Sequence, residues 1–283
     1  MSAADGNGVG YLIFDIESVA DPALVSLVRT HGEQDPEAAL QEYRDELMAE
    51  KGSDFIPYTF QVPVSLALAK VGFDFSLQDL IVLKVENGGP GAICENFWKG
   101  WKLYDHPQLV TFNGRKFDVP LLEHTAFRYG ISIPDWYMGY GGLNKQPRNR
   151  YGSNHLDLFD ALTNYGSSNF VAGLNLAAKL LHKPGKMDVK GDMVQDMFKE
   201  RRLDEIHRYC RCDVLDTYFV FLRYQRITGR LDAPHEQELI EKARDFLIER
   251  KDSEPVYGEY LDAWDKTSAF LERNDFFAEY EKK

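Results

Sequence analysis

The chain has 283 residues, of which 44% are hydrophobic and 28% are charged, a composition typical of a globular enzyme rather than of a disordered chain. No apolar run reaches the ~18 residues that a membrane-spanning helix needs, and the N-terminal MSAADGNGVG lacks the apolar core of a secretion signal. The 3 cysteines fit a reducing compartment. We therefore expect a cytoplasmic protein.

The net charge of −12 argues at first against a nucleic-acid partner, because phosphate binding usually leaves a basic footprint. The charge is unevenly distributed, however. Residues 231–283 carry 15 acidic and 8 basic side chains, a net charge of −7, so more than half of the excess lies in this last segment. Carboxylates that bind metal ions also count as bare charge in this sum. The balance lowers the expected affinity for nucleic acid without excluding it as a substrate.

Apolar and aromatic runs predict mixed strands and helices in the first half of the sequence. A buried strand is predicted over 11–16 (YLIFDI), and a charged helical segment follows between 19 and 52. The next predicted elements are, in order, strands at 61–71 and 80–86, a turn at 87–91, a helix at 94–104, a strand at 108–112 and a helix at 119–129. Three strands in succession favour an α/β sheet with an antiparallel meander over an alternating Rossmann pattern.

The second half of the sequence is mainly helical. The stretch 138–154 is rich in Gly, Asn and basic residues and predicts a surface loop. Helices are predicted at 158–165, 171–181, 193–198 and 203–227. Turn residues around 229–234 then suggest a boundary, which divides the chain into a domain at 1–230 and a helical, acidic C-terminal extension at 231–283.

Asp15 and Glu17 stand at the end of the first predicted strand. Residues two apart on a strand face the same side, so both carboxylates project together. Two like charges held so closely are costly unless a cation neutralises them, and hard oxygen ligands suit Mg²⁺ or Mn²⁺. The alternative for an isolated pair of this kind is two exposed charges at a strand end.

Asp118 follows the predicted strand at 108–112 and the easy turn Asn113-Gly114. Its position at the start of the next helix has two explanations. It either contributes a carboxylate to the chemistry, or it stabilises the N-terminus of that helix.

Tyr209 and Asp213 are four residues apart on the long predicted helix and lie on one face of it. Asp216 is three residues further on, so helical geometry alone leaves open which acid is a ligand. The alternative is a core tyrosine with two solvated acids. Cys210 and Cys212 point to nearly opposite faces of a helix, so we expect two separate buried thiols rather than one metal site.

Taken in order, these three clusters resemble the tyrosine branch of the DEDD exonuclease superfamily. The stretches FDIE and FNGRKFDVPLL are similar to the proofreading exonuclease domain of family-B DNA polymerases, and most similar to the predicted stand-alone exonucleases related to it. The resemblance covers about 11–230 and implies a ribonuclease H-like fold with a mixed five-stranded sheet flanked by helices. The segment 19–60 is longer than such a domain needs, and no counterpart is recognised for the chain beyond residue 230.

The resemblance also implies a function and its residues. A 3′→5′ exonuclease of this type holds two divalent cations, Mg²⁺ or Mn²⁺, and releases nucleoside 5′-monophosphates from single-stranded nucleic acid with a free 3′ end, DNA being favoured here. Its tyrosine stands four residues before the metal ligand, which selects Asp213 over Asp216. The residues that match its motifs are Asp15, Glu17, Asp118 and Asp213 as metal ligands, Tyr209 as the residue that holds the attacking water, and Asn113 near the terminal nucleotide. His155–Asp157 resembles a strand beside the site, without an assigned catalytic role.

Basic residues in two stretches are candidates for substrate binding. Lys145, Arg148 and Arg150, which alternate with Asn149 and Tyr151, suit phosphate binding and base stacking. Lys179, Lys183, Lys186 and Lys190 form the second stretch. The alternative for each is an ordinary solvated loop.

Two other classes of protein remain open at this stage. One is a non-catalytic module that binds nucleic acid or docks a subunit and keeps the fold, against which the complete set of acids argues. The other is a glycoside hydrolase with paired carboxylates, which needs no metal. Metal dependence of the activity distinguishes the last class.

Overall fold

The computed structural model describes residues 8–141, 146–150, 152–187 and 193–276. Its centre is a sheet of five strands, β1 (Val9–Ala20), β2 (Gln61–Gly72), β3 (Leu77–Lys84), β4 (Gln108–Thr111) and β5 (His155–Asp157). The strand order is β3-β2-β1-β4-β5. The first three strands form an antiparallel meander, whereas β4 and β5 run parallel to β1. The predicted α/β class, with the mixed five-stranded sheet of a ribonuclease H-like fold, is confirmed.

Helices cover both faces of this sheet. In the described residues they are α1 (Pro22–Thr30), α2 (Pro36–Lys51), α3 (Gly89–Leu103), α4 (Asp118–Tyr129), α5 (Pro134–Met138), α6 (Leu158–Leu162), α7 (Gly173–Lys179), α8 (Val194–Lys199), α9 (Leu203–Ile227), α10 (Ala233–Arg250) and α11 (Pro255–Arg273). The long helix α9 packs on β1 and β2 from one side, and α3 and α4 pack on β2 from the other. None of the described helices is long and apolar enough to cross a membrane.

Strand β1 is buried on both faces, which explains its continuous apolar run. Leu12 and Phe14 belong to the hydrophobic cluster under α3 and α4, whereas Ile13 belongs to the cluster under α9. Side chains alternate along a strand. Asp15 and Glu17 continue the series of Ile13 and therefore lie on the face that α9 covers.

The predicted elements are present, and several boundaries differ from the prediction. Helix α9 has the predicted bounds. Strand β1 extends to Ala20, well beyond the predicted end at residue 16, because it remains paired with β2 as far as Gln61, past an irregularity at Glu17/Ser18. Helix α3 begins at Gly89, inside the predicted turn, with Pro90 in its first turn, a position that proline tolerates because its missing N–H has no helical partner there.

The C-terminal helices share the main hydrophobic cluster with the sheet. Leu239 and Leu247 of α10 and Tyr260 and Trp264 of α11 belong to the same cluster as Ile13 and the buried face of α9. The helical nature predicted for this segment is confirmed. The division into two domains at residue 230 stays a prediction, although both sides of that boundary contribute to one core.

This shared cluster predicts that a cavity in α10 destabilises the whole fold. Leu247 is 0% exposed, whereas its neighbour Ile248 is 42% exposed. We expect Leu247→Ala to lower the free energy of unfolding by about 2–5 kcal/mol. Circular dichroism and tryptophan fluorescence should both report the same single denaturant transition. The matched control Ile248→Ala should change it by less than about 0.5 kcal/mol. Equal losses for the two variants, or a separate early transition for Leu247→Ala, would contradict a common core.

Candidate active site

Three acidic side chains from two elements meet on the α9 face of the sheet. Asp15 and Glu17 project from β1, and Asp213 projects from α9 towards them. One carboxylate oxygen of each lies within 4.8 Å of the others. Among the described residues, these three side chains form the group that could hold a metal ion. The structure thus brings together side chains almost 200 positions apart in the sequence.

Asp118 completes the predicted set from the other side of β1. As the first residue of α4 it is buried, and its Oδ1 accepts a hydrogen bond of 3.0 Å from the backbone N–H of Ile16. Ile16 stands between Asp15 and Glu17, so this bond fixes Asp118 beside them. All four acids line one cleft with a volume of about 830 Å³.

The electrostatics of the cleft disfavour four free carboxylates. Burial raises the pKa of Asp15 well above its ordinary value, and the charges of Asp118 and Asp213 raise it further. Burial also raises the pKa of Glu17, with Asp15 and Asp213 adding to the effect. For Asp118 and Asp213, burial is again the largest cause and raises the pKa to about 7 and about 6. A buried cluster of hard oxygen ligands with this excess of negative charge fits divalent cations such as Mg²⁺ or Mn²⁺.

Tyr209 stands one helical turn before Asp213 and also lines the cleft. Its hydroxyl lies close enough to the Asp213 carboxylate to lower the pKa of that acid, and burial raises the pKa of the phenol far above its usual range. The group therefore stays neutral and able to donate. It is buried as the core-tyrosine alternative requires, yet both Asp213 and Asp216 are buried too, so the solvated acids of that alternative are not found.

Lys186 is a cleft residue that the sequence analysis named only as part of a basic stretch. Its ammonium lies 5.9 Å from the centre of the Tyr209 ring. Its positive charge lowers the pKa values of Asp15, Glu17 and Asp213, which opposes the effect of burial. No spacing signal in the sequence connects this lysine with the acids, because a loop brings it to the cleft.

Asn113 reaches the cleft from a turn that Asp157 holds in place. The Asp157 carboxylate accepts backbone N–H bonds from Asn113 at 2.8 Å and Arg115 at 2.9 Å. Asn113 has a left-handed backbone with φ of 67°, which asparagine adopts more readily than most residues. Asp157 ends β5 and caps α6. No role for Asp157 follows from the sequence, in which its position at a strand end is the available signal.

Asp216 faces away from the acidic cluster. Its side chain is fully buried, and its Oδ1 accepts a hydrogen bond of 2.6 Å from the Tyr260 hydroxyl on α11. Burial raises the pKa of Asp216 to about 8, so the group is mainly a neutral acid near pH 7. The structure thus places the two acids of α9 in different surroundings, Asp213 in the acidic cluster and Asp216 against Tyr260.

The cysteines of α9 are buried, unpaired thiols, as predicted. The Sγ of Cys210 lies 3.3 Å from the backbone oxygen of Asp15 and accepts a bond of 3.2 Å from the N–H of Ala67. Cys212 lies on the opposite side, towards α11. Cys210 therefore packs beneath the acidic cluster, with its Sγ 3.9 Å from the Asp15 Oδ2.

The predicted substrate-binding arginines lie outside the cleft. Arg148 pairs with Glu123 at 2.7 and 3.1 Å, and the Arg150 guanidinium lies 6.0 Å from the Tyr165 ring. Neither lines the acidic cleft as far as the chain is described, and Lys145 falls outside the described residues. Substrate binding by these three residues stays a prediction, and the structure does not bring the two described ones to the acids.

The second basic stretch divides in the structure. Lys183 is buried, with its ammonium 3.8 Å from the Trp264 ring, and Lys179 donates to the Pro184 carbonyl at 2.7 Å. Lys186 alone lines the acidic cleft among the described lysines of this stretch, and Lys190 lies outside the described residues. The described lysines of this stretch therefore have three different surroundings and do not form one solvated loop.

The raised pKa values predict how the metal-free chain responds to pH. The folded-state pKa values of Asp118 and Asp213 are about 7 and about 6, against ~3.9 in an unfolded chain. The folded chain therefore holds protons that the unfolded chain releases, and stability falls as pH rises from about 4 to about 7. With a chelator present, we expect Asp213→Asn to be more stable than wild type at pH 8 by about 1–3 kcal/mol, with a smaller gain at pH 5.

Asp245, an exposed acid on α10, gives the control for this experiment. Asp245→Asn should follow the wild-type denaturation curve at both pH values. A gain for Asp213→Asn that is absent at pH 8, or that is larger at pH 5, would contradict the electrostatic description of the cleft.

One known protein family matches most of this chain. A family model described as a predicted 3′-5′ exonuclease related to the exonuclease domain of PolB matches residues 53–264, which include Asn113, Asp118, Tyr209 and Asp213. A solved structure of the family B DNA polymerase from the hyperthermophilic archaeon Pyrobaculum calidifontis matches with a TM-score of 0.47 and 18% identity, over 76% of this chain and 24% of the polymerase chain. The chain thus spans about a quarter of that polymerase. A search of curated proteins gives no significant match. Since the family model covers well over half of the sequence, the chain belongs to the family of predicted 3′-5′ exonucleases related to the exonuclease domain of PolB.

Proposed function

We propose that this chain is a metal-dependent exonuclease that hydrolyses single-stranded nucleic acid, with DNA favoured, from its 3′ end and releases nucleoside 5′-monophosphates. The observation that carries the proposal is the convergence of Asp15, Glu17, Asp118 and Asp213 in one cleft. Their burial raises every one of the four pKa values. A fold has no structural use for such a group, whereas a two-cation site for phosphodiester hydrolysis needs one.

The four acids divide between two cation positions. Asp15, Glu17 and Asp213 have oxygens close enough to share one ion, and Asp118, which is bonded to the backbone N–H of Ile16, would serve the second. When bound, two divalent cations stabilise the attacking and the leaving oxygens of a displacement at phosphorus. Hydrolysis by paired carboxylates alone, as in a glycoside hydrolase, uses two acids and would leave the other two buried without a purpose.

Tyr209 and Lys186 act beside these acids. The Tyr209 phenol cannot serve as a base at neutral pH, because burial holds its pKa above the usual range. Its hydroxyl instead suits the orientation of a water molecule by a hydrogen bond. The Lys186 ammonium, whose charge reaches three of the acids, suits a phosphate oxygen at the same edge of the cleft.

The Asn113 turn supports the 3′ polarity of the proposal. Asp157 fixes the two backbone N–H groups that flank Gly114, so the turn presents the Asn113 side chain to the cleft in one position. A rigid polar turn next to the acids suits recognition of a terminal nucleotide. The proposal therefore includes the requirement for a free 3′ end.

The experiment that tests this function compares linear and circular single strands. With Mg²⁺ or Mn²⁺, a 5′-labelled linear strand should give a descending ladder of products and free nucleoside 5′-monophosphates. A circular strand of the same sequence should survive, and a chelator should stop the digestion. Cleavage of the circle at the rate of the linear strand would indicate an endonuclease, and no shortening with either ion would support a non-catalytic binding module.

The two acids of α9 should differ sharply in this assay. Asp213→Asn removes a charge from the acidic cluster, so we expect kcat to fall to a few percent of wild type or less. Asp216→Asn replaces a mainly neutral acid that accepts a bond from Tyr260, and an amide oxygen can accept the same bond. It should retain near wild-type kcat. Equal losses, or a larger loss at Asp216, would overturn the assignment of the third acid motif.

Tyr209→Phe should separate catalysis from binding. The lost hydroxyl acts on the attacking water, so we expect kcat to fall about a hundredfold, while KM changes little. Tyr224→Phe, on the same helix but outside the cleft lining, is the matched control and should keep both constants. A rise in KM with unchanged kcat would place Tyr209 in substrate binding instead.

A further inference from the structure

Residues 21–57 form a helical insertion that stands beside the acidic cleft. Helices α1 and α2 enclose a small hydrophobic cluster of their own, with Val25, Leu40 and Leu47 at its centre. A backbone hydrogen bond of 2.8 Å from the Asp21 N–H to the Phe60 carbonyl joins the start of the insertion to the residue just before β2. The insertion is therefore a folded unit fixed to the end of β1. All of it before residue 53 lies outside the region that the exonuclease family model matches.

The insertion turns one cationic side chain into the cleft. Arg44 of α2 lines the same cavity as the four acids. Its Nε is buried and has no hydrogen-bond partner among the described residues. Arg29, the other arginine of the insertion, pairs with Glu46 and lies 4.0 Å from the Tyr43 ring. Of the two arginines in this unit, Arg44 is therefore the one whose guanidinium has no partner among the described residues and is available to bind a ligand.

An unpartnered guanidinium in this position points to an anionic ligand. Buried polar groups in folded proteins are nearly always hydrogen-bonded, and an orphan needs an explanation. Arg44 forms no ion pair with any described acid, although five acids line the cavity, Asp15, Glu17, Asp54, Asp118 and Asp213. Within that lining the described cations are Arg44 and Lys186. A planar guanidinium binds a phosphate through two parallel hydrogen bonds.

Phe55 adds an aromatic surface to the same wall. It lies just after α2, lines the cleft and is 59% exposed. Its ring packs against Phe117 with centroids 5.5 Å apart. Because Phe117 directly precedes Asp118, this contact holds the Phe55 ring close to the acids. An exposed ring kept in place beside a phosphate-binding cation is the combination that single-stranded nucleic acid uses, because unpaired bases can stack on it.

We infer that the helical insertion is the substrate-binding wall of the site, in which Arg44 binds a backbone phosphate of the single strand and Phe55 stacks on one of its bases. The inference rests on the proposed function, since it assumes a nucleic acid in the cleft. It assigns a role to the long segment between the first two strands. It also places substrate recognition on a unit that is separate from the elements that carry the acids.

Binding of a short fluorescent single strand with phosphorothioate linkages at its 3′ end, which resist hydrolysis, tests both residues. The full-length chain is titrated in Mg²⁺ at several KCl concentrations. Arg44→Gln should weaken binding about tenfold and make the slope of log Kd against log salt shallower by about 0.7, the change for one lost phosphate contact on a single strand. Arg44→Lys should restore the slope. Arg29→Gln is the control. Arg29 is already paired with Glu46, so this variant should keep the wild-type slope.

Phe55→Ala should weaken binding about tenfold at every salt concentration without changing the slope, and Phe55→Trp should restore the affinity. Phe127→Ala is the control. It removes a ring on α4 that is 86% exposed and does not line the cleft, so it should have no effect. Melting temperatures should stay at the wild-type value for Arg44→Gln, because its guanidinium makes no bond in the described protein. Wild-type affinity and salt slope in Arg44→Gln, or a lower melting temperature without a change in Kd, would overturn the inference.

The same proteins distinguish this inference from the exonuclease proposal. A wild-type chain that shortens the ordinary linear strand, with Arg44→Gln binding as tightly as wild type, keeps the exonuclease function and removes the insertion from substrate binding. A chain that binds through Arg44 but never shortens the strand keeps the role of the insertion and removes the exonuclease. If wild type neither binds nor shortens any single strand, both proposals are wrong.

Discussion

The structure depends on one electrostatic constraint, the burial of several like charges at the centre of the molecule. Two charged carboxylates whose oxygens lie within 4.8 Å of each other repel by about 3 kcal/mol or more at an effective dielectric constant of ~20. Asp15, Glu17 and Asp213 each meet two such partners. The apolar layers above and below β1 must oppose this repulsion, and Leu12, Ile13 and Phe14, all at most 1% exposed, stand directly before the acids. The same strand thus carries the tightest packing and the greatest repulsion.

Helix α9 presents different faces to the cleft and to the C-terminal helices. Tyr209 and Asp213 face the cleft, whereas Asp216 faces Tyr260 of the C-terminal extension. On that second side the Lys183 ammonium lies 3.8 Å from the Trp264 ring, and this lysine begins the short segment that leads to Lys186 in the cleft. The extension therefore covers the rear of the helix that carries the third acid motif, and it also holds the base of a loop that contributes to the site.

The sequence predicted the sheet, helix α9 and the acids because each leaves a local pattern. β1 reads as a continuous apolar run since both its faces are buried, and Asp15 and Glu17 share a face through strand alternation alone. Arg44 and Lys186 leave no such pattern, and the strand-end position of Asp157 does not reveal which groups it binds. Asp157 acts through bonds to a turn 44 residues away, and Arg44 reaches the cleft through the way in which the helical insertion packs. Long-range packing fixes these contacts, as it fixes the extra length of β1 that pairing with β2 adds.

The net charge of −12 acquires a physical sense under the proposed function. The exposed acids of the C-terminal helices repel a polyanion over most of that surface, and the cleft itself has more acids than cations. Two bound divalent cations would reverse this locally, because their four positive charges would offset the four negative charges of Asp15, Glu17, Asp118 and Asp213. With Asp54, Arg44 and Lys186 also in the lining, the loaded cleft would then have a net charge of +1. Under the proposed function, attraction of the strand would thus be coupled to metal binding, and a chain without its ions would have little affinity for its substrate.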